Sequence, residues 1–317
     1  MDFLFLAFGL VLLILGGEFA LRGAIGLARN LNISPAVIGL TIMGFGTSAP
    51  ELVVTIQAVL SGSADIAVGN AIGSNIANTL LILGAGAVIR PLICDPRGVR
   101  RDGAVMFLTT LLLCGLGLTG GIVLWQGVAM LGLLGTFMGW SYVQDKRHRD
   151  KATDLHEEMA EETSGIPTNL VLIATYIVAG FVGLALGANL LVDAAVALAK
   201  AAGISEAIIG LTLVAFGTSL PELAATMIAA YRRHADIAIA NVLGSNIFNI
   251  LGVLGTGALF GPLPFTPHII AIDQWIMLAA AAVLLPIMIT GWRVSRIEGA
   301  ILLAAYATFI GTLTIRL

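Results

Sequence analysis

The chain has 317 residues, of which 58% are hydrophobic and only 11% are charged, and its formal net charge is −3. Soluble domains carry about 25% charged residues, so this composition excludes a soluble globular protein and indicates an integral membrane protein. Nucleic-acid binding has no support, because the arginines form no basic stripe and lie in short loops. The two cysteines, Cys94 and Cys114, lack metal-ligand spacing, and we interpret them as small apolar residues in or beside helices.

Ten apolar segments are long enough to cross a bilayer, for which a helix needs about 20 residues. The first segment lacks the basic region and cleavage site of a signal peptide, so we interpret it as a retained helix. The predicted fold is therefore an all-α integral membrane protein with ten transmembrane helices. The ten segments, in chain order, are 3–22, 34–60, 65–89, 103–121, 122–142, 169–192, 205–231, 236–260, 268–290 and 296–316.

Basic residues predict how these helices are oriented. With the N-terminus outside, fourteen of the sixteen Lys and Arg residues lie on the cytoplasmic side, and only Lys200 and Arg316 lie opposite. We therefore predict that the protein lies in a prokaryotic plasma (cell inner) membrane with both termini outside. The hydrophilic linker 143–167 is then cytoplasmic. The linker begins basic and ends acidic, and it lacks the alternating carboxylates and glycine of a calcium loop. We interpret it as a solvated cytoplasmic helix or coil, with a regulatory cation sensor as the less favoured alternative.

Residues 39–84 and 210–255 are near copies that align without a gap. The match continues at the same offset from 15–34 to 186–205, where Glu18 has no counterpart because Asn189 stands opposite it, so we take Glu18 as structural or interfacial. The predicted organisation is one five-helix repeat at 1–142, the linker, and a second repeat at 168–317. Since five is an odd number, the second repeat is inverted, and inverted repeats with a site at their interface are typical of secondary transporters.

Each copy carries a G-T-S-x-P-E motif, with one glutamate inside an apolar stretch. Pro50 and Pro221 each remove a backbone donor, so we expect kinks in helices 2 and 7 and exposed carbonyl oxygens around 44–47 and 215–218. Such oxygens are tolerated in a membrane only where they line a cavity or bind something. Glu51 and Glu222 follow one residue later, and a charged carboxylate at mid-bilayer costs about 3 kcal/mol. Helix packing alone does not require a charged side chain at this position, so the pair is predicted to bind cations.

The neighbouring polar side chains are also oxygen donors. Thr47 and Ser48 precede Glu51 by four and three residues and share its helix face, and Ser74 and Asn78 lie one turn apart in the next helix. Ca²⁺ takes about 6–8 oxygen ligands, which neither repeat supplies alone but two facing copies do. The motifs contain no histidine or cysteine, which argues against zinc or copper. The counterparts in the second copy are Thr218, Ser219, Glu222, Ser245 and Asn249.

Other polar residues of the copies have structural interpretations. Asp65 and Asp236 are predicted to cap the starts of helices 3 and 8. For Asn75 and Asn246, bonding to backbone across helices and contact with an ion remain equally open.

On these motifs the chain resembles the calcium/cation antiporter superfamily, specifically the prokaryotic sodium/calcium exchangers. The resemblance covers essentially the full length and rests on GTSAPE, GTSLPE, GSNIAN and GSNIFN in register. It implies a secondary active antiporter, not an enzyme, that exchanges Ca²⁺ for Na⁺ by alternating access without a cofactor or an obligate protein partner. It also implies that backbone carbonyls at Gly44 and Ala215 join the ligands. The chain departs from well-known exchangers at Asn249, where they have aspartate, so the counter-ion stays open.

Two other functions remain to be weighed. A buried glutamate pair also accepts protons, so proton/calcium exchange is the alternative within the antiporter class. A gated cation channel would use similar ligands, but it needs a continuous pore, usually lined by several subunits.

Overall fold

The computed structural model describes residues 2–149, 165–201 and 215–315, and these ranges are almost wholly helical. Four strands of two residues each are β1 (Leu92–Ile93), β2 (Gly121–Ile122), β3 (Leu263–Pro264) and β4 (Arg293–Val294). The helices are α1 (Asp2–Leu31), α2 (Pro35–Thr47), α3 (Ala49–Leu60), α4 (Ala64–Ile89), α5 (Pro96–Leu118), α6 (Leu124–Arg149), α7 (Leu170–Ala201), α8 (Ala215–Gly217), α9 (Leu220–Tyr231), α10 (Ala235–Phe260), α11 (Ile269–Trp292) and α12 (Arg296–Ile315).

The all-α membrane fold is confirmed in its general form. Within the described ranges six helices are long and apolar enough to cross a membrane, and a seventh is added if α2 and α3 form one bent span. These two helices meet at an angle of 42°. The break falls at Ser48, and Pro50, which lacks a backbone N–H, lies in the first turn of α3.

The helix ends differ from the sequence prediction in three places. α1 and α7 continue to Leu31 and Ala201, beyond the predicted ends at 22 and 192, because apolarity marks only the part of a helix that lies in lipid. α6 continues to Arg149, so the predicted linker 143–167 begins as helix. Residues 150–164 of that linker lie outside the described ranges, and so do residues 202–214, which include the first part of predicted helix 7, residues 205–214.

Wider π-helical turns occur in five of the helices in the described part of the chain. Two of them coincide with predicted site residues, since Asn78 lies in the π turn of α4 and Asn249 begins that of α10. Such turns change the direction in which side chains point and occur frequently at functional sites. The five segments are Gly39–Met43, Ala77–Ile82, Val99–Gly103, Asn249–Leu254 and Ile269–Asp273.

Glycines allow α1 and α7 to pack backbone to backbone in antiparallel directions. A Cβ atom on Gly9 would lie 2.9 Å from the carbonyl oxygen of Gly187, and one on Gly16 would lie 2.6 Å from the amide nitrogen of Leu184. Small residues permit this close approach in membranes, where helices associate through van der Waals packing. α1 and α7 therefore form a closely packed pair.

A second glycine contact brings α2 against α10. A Cβ atom on Gly44 would lie 3.0 Å from the carbonyl carbon of Gly244, and one on Gly244 would collide with the backbone of Leu40. The absence of side chains at these two positions lets the backbone of the first copy reach the polar face of the second. This contact places Thr47 next to Ser245.

The short strands join the two halves of the chain at both ends of the molecule. β1 pairs with β4, and β2 pairs with β3, both antiparallel. Because the 23-residue helix α5 separates β1 from β2, the two strand pairs lie at opposite ends of that helix. We call these ends the β1/β4 face and the β2/β3 face.

Glu18, in the middle of α1, has structural partners. Glu18 accepts hydrogen bonds from Arg22 at 2.8 Å and from Arg232 at 2.9 Å, which links α1 to the end of α9.

The prediction that Asp65 and Asp236 cap helices is wrong, because the N-cap positions are Ser63 and His234. Both aspartates instead lie in the first helical turn, where the helix dipole still favours a negative charge.

Candidate cation site

Two fully buried carboxylates lie at the centre of the molecule. Glu51 and Glu222 occupy the first turns of α3 and α9, directly after the chain breaks its helical geometry at Ser48 and Ser219. Both side chains have 0% of their surface exposed, and their carboxyl groups are close enough to repel each other. The local sequence explains this position, because a proline in the first helical turn needs no hydrogen-bond acceptor for its nitrogen.

Hydroxyl groups reach these carboxylates from the opposite copy. Ser48 Oγ donates to Glu222 Oε1 at 2.9 Å, and Ser219 Oγ donates to Glu51 Oε1 at 3.4 Å. Ser74 Oγ adds a longer contact to Glu51 Oε1 at 3.5 Å. Each glutamate is therefore bonded by the signature serine of the other half, and neither half forms the site alone.

The signature threonines lie in the same crossed arrangement. Thr218 contacts Glu51, and Thr47 contacts Glu222. Thr47 Oγ1 also donates to the carbonyl oxygen of Met43 at 2.9 Å and lies 3.4 Å from Ser245 Oγ.

Backbone carbonyls lie at the edge of this cluster. Ser245 Oγ donates to the carbonyl oxygen of Gly44 at 3.4 Å, so this predicted carbonyl is beside the hydroxyl groups. Its predicted counterpart, Ala215, begins α8, and the residues before it lie outside the described ranges.

Several buried polar atoms in this region have no hydrogen-bond partner within the described structure. They are Oε2 of both glutamates and the amide oxygen and nitrogen of both Asn78 and Asn249. The π turn of Asn249 packs on α3, which carries Glu51, and the π turn of Asn78 packs on α9, which carries Glu222. Buried polar atoms are rarely left without partners, so this cluster has the character of a ligand site.

Asn75 and Asn246 have a structural role in this arrangement. Asn75 Nδ2 donates to the carbonyl oxygen of Asn246 at 3.1 Å, and Asn246 Nδ2 donates to Thr79 Oγ1 at 2.9 Å. The two residues join α4 to α10, and the bond from Asn75 reaches a backbone group across helices, as the first interpretation predicted. Oδ1 of both residues is buried without a partner in the described structure, so contact with an ion stays a prediction.

Two further duplicated residues in each copy were not singled out from the sequence. Asn70 and Asn241, and likewise Thr55 and Thr226, occupy corresponding positions of the two copies, as the signature glutamates do. Asn241 is fully buried and bonded to Thr226 in its own copy and to Thr47 in the other. The duplication itself was the available signal.

The chemistry of this cluster is that of oxygen. Across the described residues, no group of three or more His, Cys, Asp or Glu side chains could hold a metal ion. The acidic side chains of the cluster are Glu51 and Glu222, and the remaining groups are hydroxyl, amide and carbonyl groups. Hard cations such as Ca²⁺ and Na⁺ prefer ligands of this kind. A helical membrane protein with a buried centre of this composition belongs to the class of cation transporters.

Comparison with known proteins specifies the family. The family model described as sodium/calcium exchanger protein matches residues 1–143 and 172–315. CaxA of Alkalimonas amylolytica is 40% identical over 310 residues, which cover 96% of this chain and 95% of CaxA. The sodium/calcium exchanger MaX1 of Methanosarcina acetivorans is 31% identical over 343 residues, with coverage of 98% and 97%. The solved structure of the sodium-calcium exchanger NCX_Mj superimposes with a TM-score of 0.84 at 32% identity and covers 98% of both chains.

The chain therefore belongs to the sodium/calcium exchanger family. It is a membrane antiporter that exchanges Ca²⁺ and Na⁺, as the resemblance of its motifs predicted.

Proposed function

We propose that Ca²⁺ and Na⁺ compete for one site built on Glu51 and Glu222, and that this competition couples their transport. The observation that supports the proposal most directly is the burial of both carboxylates among hydroxyl groups supplied by the opposite copy. The remaining ligands of the proposed site are Thr47, Ser48, Ser74, Asn78, Thr218, Ser219, Ser245 and Asn249, with the carbonyl groups of Gly44 and Ala215.

Electrostatics explains why such a site exchanges ions. Two carboxylates that are close together in a medium of low dielectric constant do not both stay ionised without cations. One Ca²⁺, or two or more Na⁺, neutralises them, whereas an empty site with both carboxylates ionised would carry two uncompensated charges. An empty carrier is therefore not expected to change its access from one side to the other. Because both ions need the same carboxylates, one ion leaves when the other binds.

The proposed architecture has ten spanning helices in two inverted repeats, 1–142 and 168–317. α6 and α12 would contribute the eighth and ninth spans, since 26 and 20 residues of helix are about 39 and 30 Å long. α8 and α9 would be the described part of the tenth span, the predicted helix 205–231. The strands support the inversion. β1 and β3 occupy corresponding positions in the two repeats, yet β1 lies on the β1/β4 face and β3 lies on the opposite face.

Movement of the α1–α7 pair against the rest would supply alternating access. The glycine contacts hold α1 and α7 together as one unit, while the two glutamates lie on α3 and α9.

The β1/β4 face carries the basic loops and would be cytoplasmic, which places both termini outside the cell membrane. No protein partner is needed for this mechanism, so a monomer is proposed to be functional.

Reconstituted flux tests the proposal. We expect purified protein in liposomes to accumulate labelled Ca²⁺ only when an outward Na⁺ gradient is imposed. H⁺ and K⁺ gradients, applied one at a time, identify any other counter-ion. Ca²⁺ accumulation driven by an H⁺ gradient alone would favour the proton/calcium alternative. This alternative stays open because Asn249 is neutral where well-known exchangers have aspartate. Ca²⁺ entry down its own gradient without any counter-ion would indicate a channel and contradict the proposal.

Two variants test the glutamates in the same assay. Glu51→Gln and Glu222→Gln each remove one charge at almost constant volume, so we expect exchange to fall by about 100-fold or more. Glu298→Gln, on α12 and away from the cluster, is the matched control and should transport at nearly the normal rate. Near-normal exchange by either central variant would remove that glutamate from the site.

A further inference from the structure

The two Thr–Asn pairs that the duplication relates to each other differ in the structure. Thr55 on α3 and Asn70 on α4 have the same spacing in the chain as Thr226 on α9 and Asn241 on α10. Each pair lies across a helix hairpin that begins with a signature glutamate. Identical residues at identical spacing would be expected to make identical contacts, and they do not.

The pair in the second copy is closed. Asn241 Nδ2 donates to Thr226 Oγ1 at 3.1 Å, and both side chains are fully buried. Asn241 Oδ1 also lies 3.4 Å from Thr47 Oγ1 of the first copy. This bond therefore connects α9, α10 and the signature threonine of α2.

The pair in the first copy is open. Thr55 Oγ1 is buried and has no hydrogen-bond partner among the residues that the structure describes. Asn70 is partly exposed, and its Nδ2 atom instead lies 3.5 Å from the backbone carbonyl oxygen of Glu51. A buried hydroxyl without a partner is costly. A bond from Asn70 to Thr55 Oγ1, like the one from Asn241 to Thr226, would remove that cost.

The two pairs lie on opposite sides of the glutamates. Asn70 is near the start of α4, and that start borders a cavity of about 630 Å³ that Gly121, Ile122, Leu263 and Pro264 of the β2/β3 face also line. Asn241 is near the start of α10, whose Asp236 lies within electrostatic range of Asp95, just after β1. The closed pair is thus on the β1/β4 face, and the open pair is on the β2/β3 face.

We infer that the two Thr–Asn pairs are alternating clasps, each of which closes when the carrier is shut on its own side. In the structure the Thr226–Asn241 clasp closes the β1/β4 side, and the Thr55–Asn70 clasp is released. In the opposite access state Asn70 bonds Thr55, while Asn241 releases Thr226 and Thr47. The inference rests on the proposed alternating-access function and adds residues outside the proposed ligand set.

The test uses two substitutions that preserve side-chain shape and remove one hydroxyl. Thr226→Val weakens the state seen here, so the apparent KM for Ca²⁺ should rise about three- to tenfold on the β2/β3 side and fall on the other side. Thr55→Val weakens the opposite state and should produce the reverse pair of shifts. Both are measured in uniformly oriented liposomes with Ca²⁺ added to one side at a time.

Controls separate the clasp from a general packing role. Thr226→Ser keeps the hydroxyl and should restore wild-type behaviour, and Thr136→Val on the exposed surface of α6 should change nothing. A packing role alone would lower the activity of both valine variants without opposite shifts. Shifts in the same direction, or no shifts, would overturn the clasp. Retained exchange by Glu51→Gln in the same liposomes would instead overturn the proposed site.

Discussion

At the scale of single residues, the two glutamates differ in the hydrogen bonds that they accept from serine hydroxyl groups. Glu222 Oε1 has one short bond, from Ser48, whereas Glu51 Oε1 has two long contacts, from Ser219 and Ser74. Oε2 of each glutamate has no partner in the described structure. The two glutamates are thus buried equally, but the serine bond to Glu222 is shorter than the serine contacts to Glu51, although the two sequence motifs are almost the same.

This inequality predicts different effects for the two signature serines. Ser48→Ala removes the 2.9 Å bond to Glu222, which as a charge-assisted bond contributes about 1.5–3 kcal/mol. We expect it to change the apparent Ca²⁺ KM more strongly than Ser219→Ala, which removes a contact of 3.4 Å. Ca²⁺ uptake against a Na⁺ gradient is the measurement, with Ser61→Ala in the loop after α3 as the control. Equal effects from the two serines would contradict this account.

At the scale of helices, glycine contacts decide which polar groups meet. The approach of Gly44 to Gly244 brings α2 close to α10, and it is this approach that places the Gly44 carbonyl oxygen beside Ser245. Any side chain at either glycine would separate the helices. The geometry of the centre therefore depends on backbone packing as well as on the polar residues.

A pair of alanine substitutions tests this dependence. Gly244→Ala would place a methyl group against the backbone of Leu40, and overpacking of this kind costs about 1–3 kcal/mol or more. We expect its melting temperature in detergent to fall by several degrees. Gly135→Ala, on the exposed surface of α6, has no atom within 4 Å of the added carbon in the described structure and should melt at or slightly above the wild-type temperature. A stable Gly244→Ala variant would contradict the close contact.

At the scale of the whole molecule, the strand pairs separate two faces, and the basic loops lie on one of them. Asp95 and Arg97 follow β1, and Arg293 begins β4. Ser61, in the loop between α3 and α4, lies near the β2/β3 face, beside residues of the same cavity. The charge pattern predicts that the β1/β4 face is cytoplasmic.

Thiol labelling tests this sidedness against a low background. The native Cys94 and Cys114 are both buried, and burial raises the pKa of the Cys94 thiol to about 12, so almost no reactive thiolate is present at neutral pH. We expect an impermeant maleimide on intact cells to label Ser61→Cys but not Arg97→Cys, and the reverse in inverted vesicles. Wild-type protein should remain unlabelled in both preparations. Labelling of Arg97→Cys on intact cells would reverse the proposed orientation.

Much of the candidate site could be predicted because its polar residues occur twice in the chain. A buried carboxylate is costly in lipid, so two glutamates in matching apolar stretches indicated their own importance. The alignment of the two copies also paired Asn70 with Asn241. Their role was not predicted, because the sequence does not show which groups their amides contact. The ends of α1 and α7 were predicted too short, because the helix continues where apolarity stops.

The sequence by itself determined the class of fold, the duplicated polar residues and the concentration of basic residues at alternate loops. These three features follow from composition and spacing. Apolar segments indicate membrane helices, and a charged residue inside one is costly whatever its neighbours are. Only the tertiary structure decided that Ser48 bonds Glu222 and not Glu51, and that one Thr–Asn pair is closed while the other is open. Those contacts join residues far apart in the chain, so helix packing selects their partners, and local sequence does not encode that packing.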